Sequence, residues 1–177
     1  VDGLGLFHRP DTVAWTVFFH DIVYEPTRND NEDQSADVWL DFASDLATDV
    51  GHRDEQMIAT VRQYILQTKN HTTCPLDAEK DLRLFLDMDL AILGAPKERY
   101  TEYAEQIARE YSHYPRDAYC AGRAKVLRTF AVDAHLFKTE ELSERLLKNA
   151  RENLAWEITQ LESPPMVLEP VFFADRA

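Results

Sequence analysis

Positive charge, glycine, cysteine and long apolar runs are all scarce in this chain, and each shortage excludes something. Lys and Arg number 19 against 32 Asp and Glu, a formal net charge of −13. Such an acidic surface repels phosphodiester backbones and acidic bilayers, which excludes long nucleic acids and membrane surfaces as general partners. Five glycines against eight prolines disfavour a fold built on tight β-turns and favour long helices. No apolar run approaches the roughly 18 residues of a membrane span, and the most apolar stretch, Thr12 to Phe19, is far too short. The two cysteines, Cys74 and Cys120, have no metal-ligand spacing. No basic segment followed by an apolar one opens the chain, so the expectation is a cytoplasmic protein with both thiols reduced.

What is present is helical periodicity. The length of 177 residues, 45% of them hydrophobic, suits one domain with its own core. Seven helical segments separated by short polar breaks, with no convincing strand, predict an all-α single-domain bundle. Residues 11 to about 24 are apolar on nearly every side (Val13, Trp15, Val17, Phe18, Phe19, Ile22), which predicts a helix in the middle of the bundle. After a turn-rich loop from Glu25 to Asn31, Asn29 and Glu32 have the spacing of a capping box for a helix that stops at Gly51. A third helix spans about 54 to 67 and ends in a polar loop, Thr68 to Thr73. Asp77 is the expected cap of a fourth, which carries Leu82, Phe85, Leu86, Ile92 and Leu93 and stops at Gly94. Three further helices carry Tyr100 to Tyr111, Tyr119 to Phe130 and Leu142 to Leu161. The helical domain is thus residues 1–162. Residues 163–177, with Pro164 and Pro165 at their start, form an extended tail whose Phe172 and Phe173 could dock on the body or build a homo-oligomer.

Two features carry chemistry. His20 and Asp21 sit at the C-terminal end of the most apolar helix, where burial is costly unless the groups are paired or bind a metal. Neighbouring positions on a helix diverge by about 100°, so the two side chains can converge on one cation, or His20 can cap the helix and Asp21 pair with a base. The second feature is Phe85-Leu86-Asp87-Met88-Asp89-Leu90. Asp89 falls inside the apolar stripe while Asp87 is rotated towards solvent, so Asp89 is the carboxylate expected to face the core. Arg123 lies on the inward stripe of its helix with Tyr119, Val126, Leu127 and Phe130, and must meet an anion there, from the protein or from a substrate. The remaining histidines, His52, His113 and His135, have no partner pattern and read as surface residues. Tyr100, Tyr103, Tyr111 and Tyr114 read as core packing rather than a stacking platform.

Phe19-His20-Asp21 followed by Asp89 resembles the HD superfamily of metal-dependent phosphohydrolases. The nearer resemblance is to an uncharacterised bacterial-type branch, through Phe18 to Pro26, Arg28, Asp30-Asn31-Glu32, Ser35-Ala36, Thr68-Lys69-Asn70-His71 and Phe85 to Gly94. Tyr119-Cys120-Ala121-Gly122-Arg123 and Ala150-Arg151-Glu152-Asn153-Leu154 extend it, so the likeness spans residues 18 to about 161. The resemblance implies a helical fold and a divalent metal held by His20, Asp21 and Asp89. The family's first histidine ligand lies on a preceding helix. Only 19 residues precede His20 and their sole histidine is His8, so the expectation is that this helix and ligand are missing, leaving three ligands or His8 as a substitute. The implied chemistry is hydrolysis of a phosphate ester of a small metabolite or nucleotide by metal-activated water. Mixed imidazole and carboxylate ligands suit Mn2+, Fe2+, Co2+ or Zn2+ over Ca2+, with Mg2+ also admissible. Asp21 and Glu32 are then the candidate catalytic groups, Glu32 orienting water or acting as base unless it is merely a cap. Arg28, Lys69, His71 and Arg123 are the candidate phosphate ligands. The alternative is a non-catalytic helical binding or regulatory module that keeps the fold without a full ligand set.

Overall fold

The computed structural model describes residues 5–50 and 53–163, and among them seven α-helices and no strand. The helices are α1 (Pro10–Phe19), α2 (Asn31–Val50), α3 (Glu55–Gln67), α4 (Lys80–Asp89), α5 (Lys97–Glu110), α6 (Arg116–Val132) and α7 (Glu140–Glu162). Short 3-10 turns at Thr68–Thr73 and Leu90–Gly94 follow α3 and α4. The all-α bundle of seven helices expected from periodicity is the fold. The expected stop at Gly51, His52, and the tail beyond Ser163 lie outside the described residues.

Local chemistry sets the helix ends. Pro10 occupies the first turn of α1, where its missing N–H costs nothing. The N–H groups of His8 and Arg9 just before it donate to the buried carboxylate of Asp81 on α4, at 2.9 and 2.7 Å. Asp54 caps α3 by accepting from the Met57 N–H. Glu140 and Glu141 place negative charge in the first turn of α7, where the helix dipole favours it.

Two expected caps are corrected. α2 begins at Asn31, so Asn29 lies outside its first turn; Asn31 instead clamps the preceding loop, accepting from the Glu25 N–H and donating to the Glu25 carbonyl. α4 begins at Lys80 behind Glu79, which leaves Asp77 in the preceding turn.

Three apolar clusters make up the core. One gathers Val13 of α1, Tyr64 of α3 and Leu82, Leu84 and Phe85 of α4. A second packs Phe19 against Trp39 of α2 and Ile58, Val61 and Ile65 of α3, with the Trp39 indole donating to the Ile58 carbonyl. The third joins Leu93, Tyr100, Leu127, Leu136, Ala150 and Leu154 across α5, α6 and α7. The turn after α4 is stitched to α7 by buried Asn153, which donates to the Leu93 and Ala95 carbonyls, both at 2.9 Å. Gly94 lets the two segments touch: a Cβ there would stand 2.6 Å from the Leu146 Cβ and 2.7 Å from its carbonyl oxygen.

α1 is shorter and less enclosed than its composition suggests. It ends at Phe19, and only Thr12, Val13, Thr16 and Phe19 are fully buried, with Trp15 partly covered against Trp39. Val17, Phe18 and Ile22 are exposed, Phe18 by 64%. A helix packed on one side buries only the residues near one stripe, whatever the character of the others. Val126 is likewise exposed, while Ala124 and Leu127 take the inward positions of α6.

Candidate functional site

The end of α1, the loop behind it, the 3-10 turn after α3 and the end of α4 meet at one place. His20, the C-cap of α1, packs its ring edge-on against Phe85. Its Nδ1 lies 2.9 Å from the Val17 carbonyl oxygen. A carbonyl only accepts, so Nδ1 carries the proton and Nε2 is directed the other way. That Nε2 stands 3.4 Å from Asp89 Oδ1 and 3.5 Å from Asp21 Oδ2. The other Asp89 oxygen is 2.7 Å from Nε2 of His71. Asp89 therefore joins two imidazoles, one from each side.

Hydrogen bonding holds the loop carrying Asp21. The buried Ser35 hydroxyl on α2 accepts from the Val23 N–H and lies within bonding distance of the Val23 carbonyl. Chain reversal after α1 then presents Asp21 at the surface, its side chain 64% exposed, while those of His20, Asp89 and His71 are mostly covered. The site is open on the Asp21 side and closed on the Phe85 side.

The electrostatics follow from this crowding. Burial alone would lower the His20 pKa, but contact with Asp89 and the charges of Asp21 and Asp89 raise it above its ordinary value. Burial alone would raise the Asp89 pKa; His20 and His71 overcome that and hold it well below the usual carboxylate range. Asp21 is shifted up, by loss of solvent on its inner side and by the charges of Asp89 and Glu32, against the pull of His20. A neutral His20 would turn a bare Nε2 lone pair towards two carboxylates. All three are acceptors, so the arrangement calls for positive charge at Nε2.

The other expected site residues are placed as follows. Glu32 stands in the first turn of α2 with its charge felt by Asp21. Lys69 is 2.9 Å from Asp33, beside Glu32, in an exposed ion pair. Arg28 makes two bonds to Asp30, at 2.7 and 2.8 Å, also exposed. Arg123 is not beside the imidazoles. Its guanidinium bonds the nearly buried Glu157 at 2.9 and 3.3 Å and lies over the Tyr103 ring. Glu157 also accepts from the Tyr100 hydroxyl. The inward guanidinium thus meets a protein anion. His8 is at the far end of α1, roughly 18 Å from His20 at 1.5 Å per residue, so it cannot replace a ligand there.

Asp87 is the clearest correction. It is 1% exposed, not turned to solvent. It accepts from the N–H groups of Lys138 and Thr139 at 2.6 and 2.8 Å and from the Thr139 hydroxyl at 2.6 Å. The sequence contains a partial signal for this: Leu82, Leu84, Phe85 and Leu86 put apolar residues on more than one side of α4, and all four are buried. Asp89, by contrast, sits at the edge of the core, its side chain a quarter exposed.

No protein-family model, curated protein or solved structure matches the chain. The site must be judged on its own donors. Among the described residues, no three or more His, Cys, Asp or Glu side chains stand in a metal-holding arrangement; here the imidazoles and carboxylates bind one another. As a donor set, two imidazoles and two carboxylates fit a borderline divalent ion such as Mn2+, Fe2+, Co2+ or Zn2+ better than Ca2+.

Proposed function

We propose that this chain is a metal-dependent phosphohydrolase of the HD type, acting on a small phosphate ester. One observation carries the reading: His20 turns an Nε2 fixed by the Val17 carbonyl towards Asp21 and Asp89, and His71 reaches Asp89 from the other side. Pinning the far ring nitrogen on a backbone carbonyl is how ligating histidines are commonly oriented. His20, Asp21, Asp89 and His71 would hold the ion, His71 as a ligand in addition to the three the sequence suggests. A bound divalent ion would supply a polarised phosphoryl oxygen and a more acidic water.

The chain's own groups supply the rest. Exposed Asp21 leaves the site open to a substrate, and Glu32 next to it is the group suited to accept a proton from water. Lys69 and Arg28 can exchange their exposed carboxylate partners for phosphate, since solvent screens such surface pairs and leaves them weak.

That same pairing favours a second reading. Arg28, Lys69 and Arg123 each already have a carboxylate partner, which suits a non-catalytic module that binds without turning over. One experiment separates the readings. Chelator-stripped protein is titrated with Mn2+ by calorimetry, and phosphate release is then measured on a panel of sugar phosphates, aryl phosphates and nucleotides. Saturable Mn2+ binding, lost in Asp89→Ala together with phosphate release, is the expected result. Binding without turnover, or no binding by a folded wild-type protein, overturns the first reading and favours the second, which phosphate release would overturn.

A further inference from the structure

Five of the chain's seven tyrosines line one cavity. Tyr24 follows the His20-Asp21 turn, Tyr103 comes from α5, Tyr111 and Tyr114 from the α5–α6 connection, and Tyr119 from α6. The cavity measures about 490 Å³, within the range of small-molecule sites. The expectation of core packing holds for fully buried Tyr100 and for Tyr103, which packs against the third cluster, but fails for Tyr114, which is 43% exposed. Tyr111 and Tyr114 lie nearly parallel, 20° apart with centroids at 6.2 Å, and Tyr119 approaches Tyr111 at 6.3 Å.

We infer that this cavity is a subsite for a flat, uncharged aromatic ring carried by the phosphate ester. Three observations converge on it. Its walls are five tyrosines with Ile107, Ala118 and Val126 between them, the Tyr24 hydroxyl bonding Glu110 and approaching that of Tyr111. Such walls hold a planar ring by stacking and edge contacts.

The one cation among the lining residues, Arg123, is neutralised by Glu157. A phosphate gains nothing by entering, so the ring goes in and the phosphate stays outside.

The third observation is Gly122, which faces the cavity from inside α6. A glycine in a helix interior is unfavourable relative to alanine. Gly94 is a glycine because Leu146 crowds it, but a Cβ on Gly122 would meet nothing within 4 Å. Packing does not require Gly122. A group lying against that backbone would.

The cavity is also in the right place. Tyr24 is three residues beyond Asp21, so their Cα atoms are at most about 11 Å apart. The inference rests on the phosphohydrolase reading only for where the phosphate goes.

The test fills the space. Gly122→Leu grows into the cavity from a Cβ that meets no protein atom within 4 Å, and Gly122→Ala is the control that leaves most of the volume. Binding of adenosine, phenol, AMP, phenyl phosphate and ribose 5-phosphate is followed by ligand-observed NMR, with circular dichroism melts showing that each variant is folded. Ring-bearing ligands are expected to bind wild type and Gly122→Ala alike and to lose at least tenfold in Gly122→Leu. Ribose 5-phosphate should bind all three equally. Adenosine and phenol carry no phosphate, so their loss in metal-free Gly122→Leu supports the subsite even if no phosphate release is ever seen. Tighter binding of adenosine than phenol identifies a nucleobase as the ring, and the reverse identifies a simple aryl group. If no ring compound binds at millimolar concentration, or all bind Gly122→Leu as they bind wild type, the inference is wrong.

Discussion

Asp87 and Asp89 are two residues apart on one helix, and their removal should have very unequal consequences. Asp87→Ala deletes the acceptor of two buried backbone N–H groups, those of Lys138 and Thr139, and of one hydroxyl. The hydroxyl can rotate to another partner, but the N–H groups cannot. Each buried donor left without an acceptor costs about 1–3 kcal/mol, and more where the lost acceptor was charged. The expected destabilisation is therefore about 4 kcal/mol, a large part of the roughly 5–15 kcal/mol that holds a domain together. Asp89→Ala removes a carboxylate a quarter exposed, facing two imidazoles at a site open to solvent on the Asp21 side. Its expected cost in metal-free protein is about 1 kcal/mol, in line with partly solvated ion pairs. Urea unfolding followed by circular dichroism at pH 7 with EDTA compares the two, with m-values checking that the unfolded state is unchanged. Adding Mn2+ should then raise the midpoint of wild type and Asp87→Ala but not of Asp89→Ala, because only the native site binds the ion. An Asp89→Ala protein as unstable as Asp87→Ala would refute this division of labour.

Three further outcomes are expected. Gly94→Ala should cost about 1–3 kcal/mol, because the new Cβ meets the Leu146 backbone, whereas Gly122→Ala should stabilise by up to about 1 kcal/mol; equal melting shifts would contradict this. Glu157→Ala should cost about 3–5 kcal/mol by leaving the Arg123 guanidinium covered and unpaired. The double change Arg123→Met and Glu157→Leu should recover most of that loss in the same urea assay. In EDTA, stability should fall as pH rises above the ordinary imidazole value of 6.5. His20 has a folded pKa raised above its ordinary value of 6.5, so its contribution is full below that value and is lost as pH rises through the folded one. His20→Gln should flatten this limb, and an unchanged slope would exclude His20 as its source.

Much of this was legible in the residues. Periodicity identified seven helices because each buries a stripe, and Gly94 and Pro96 mark a true boundary. His20, Asp21 and Asp89 could be singled out as polar groups in apolar surroundings. Their meeting could not, because a helical period says which way a side chain points and nothing of what stands opposite. The same limit explains the misreading of Asp87, whose partners Lys138 and Thr139 are about fifty residues away. It explains His71 too, which a polar loop offers to solvent and the folded chain delivers to Asp89.

The sequence by itself determined the fold class, the acidic surface and the choice of chemical groups, since these depend on local pattern and composition. Only the tertiary structure decided which carboxylate is structural and which faces the imidazoles. It also assigned Arg123 to Glu157 and opened a cavity among the tyrosines. Those outcomes depend on contacts between distant segments, where burial makes an unpaired polar group costly and so selects the partner.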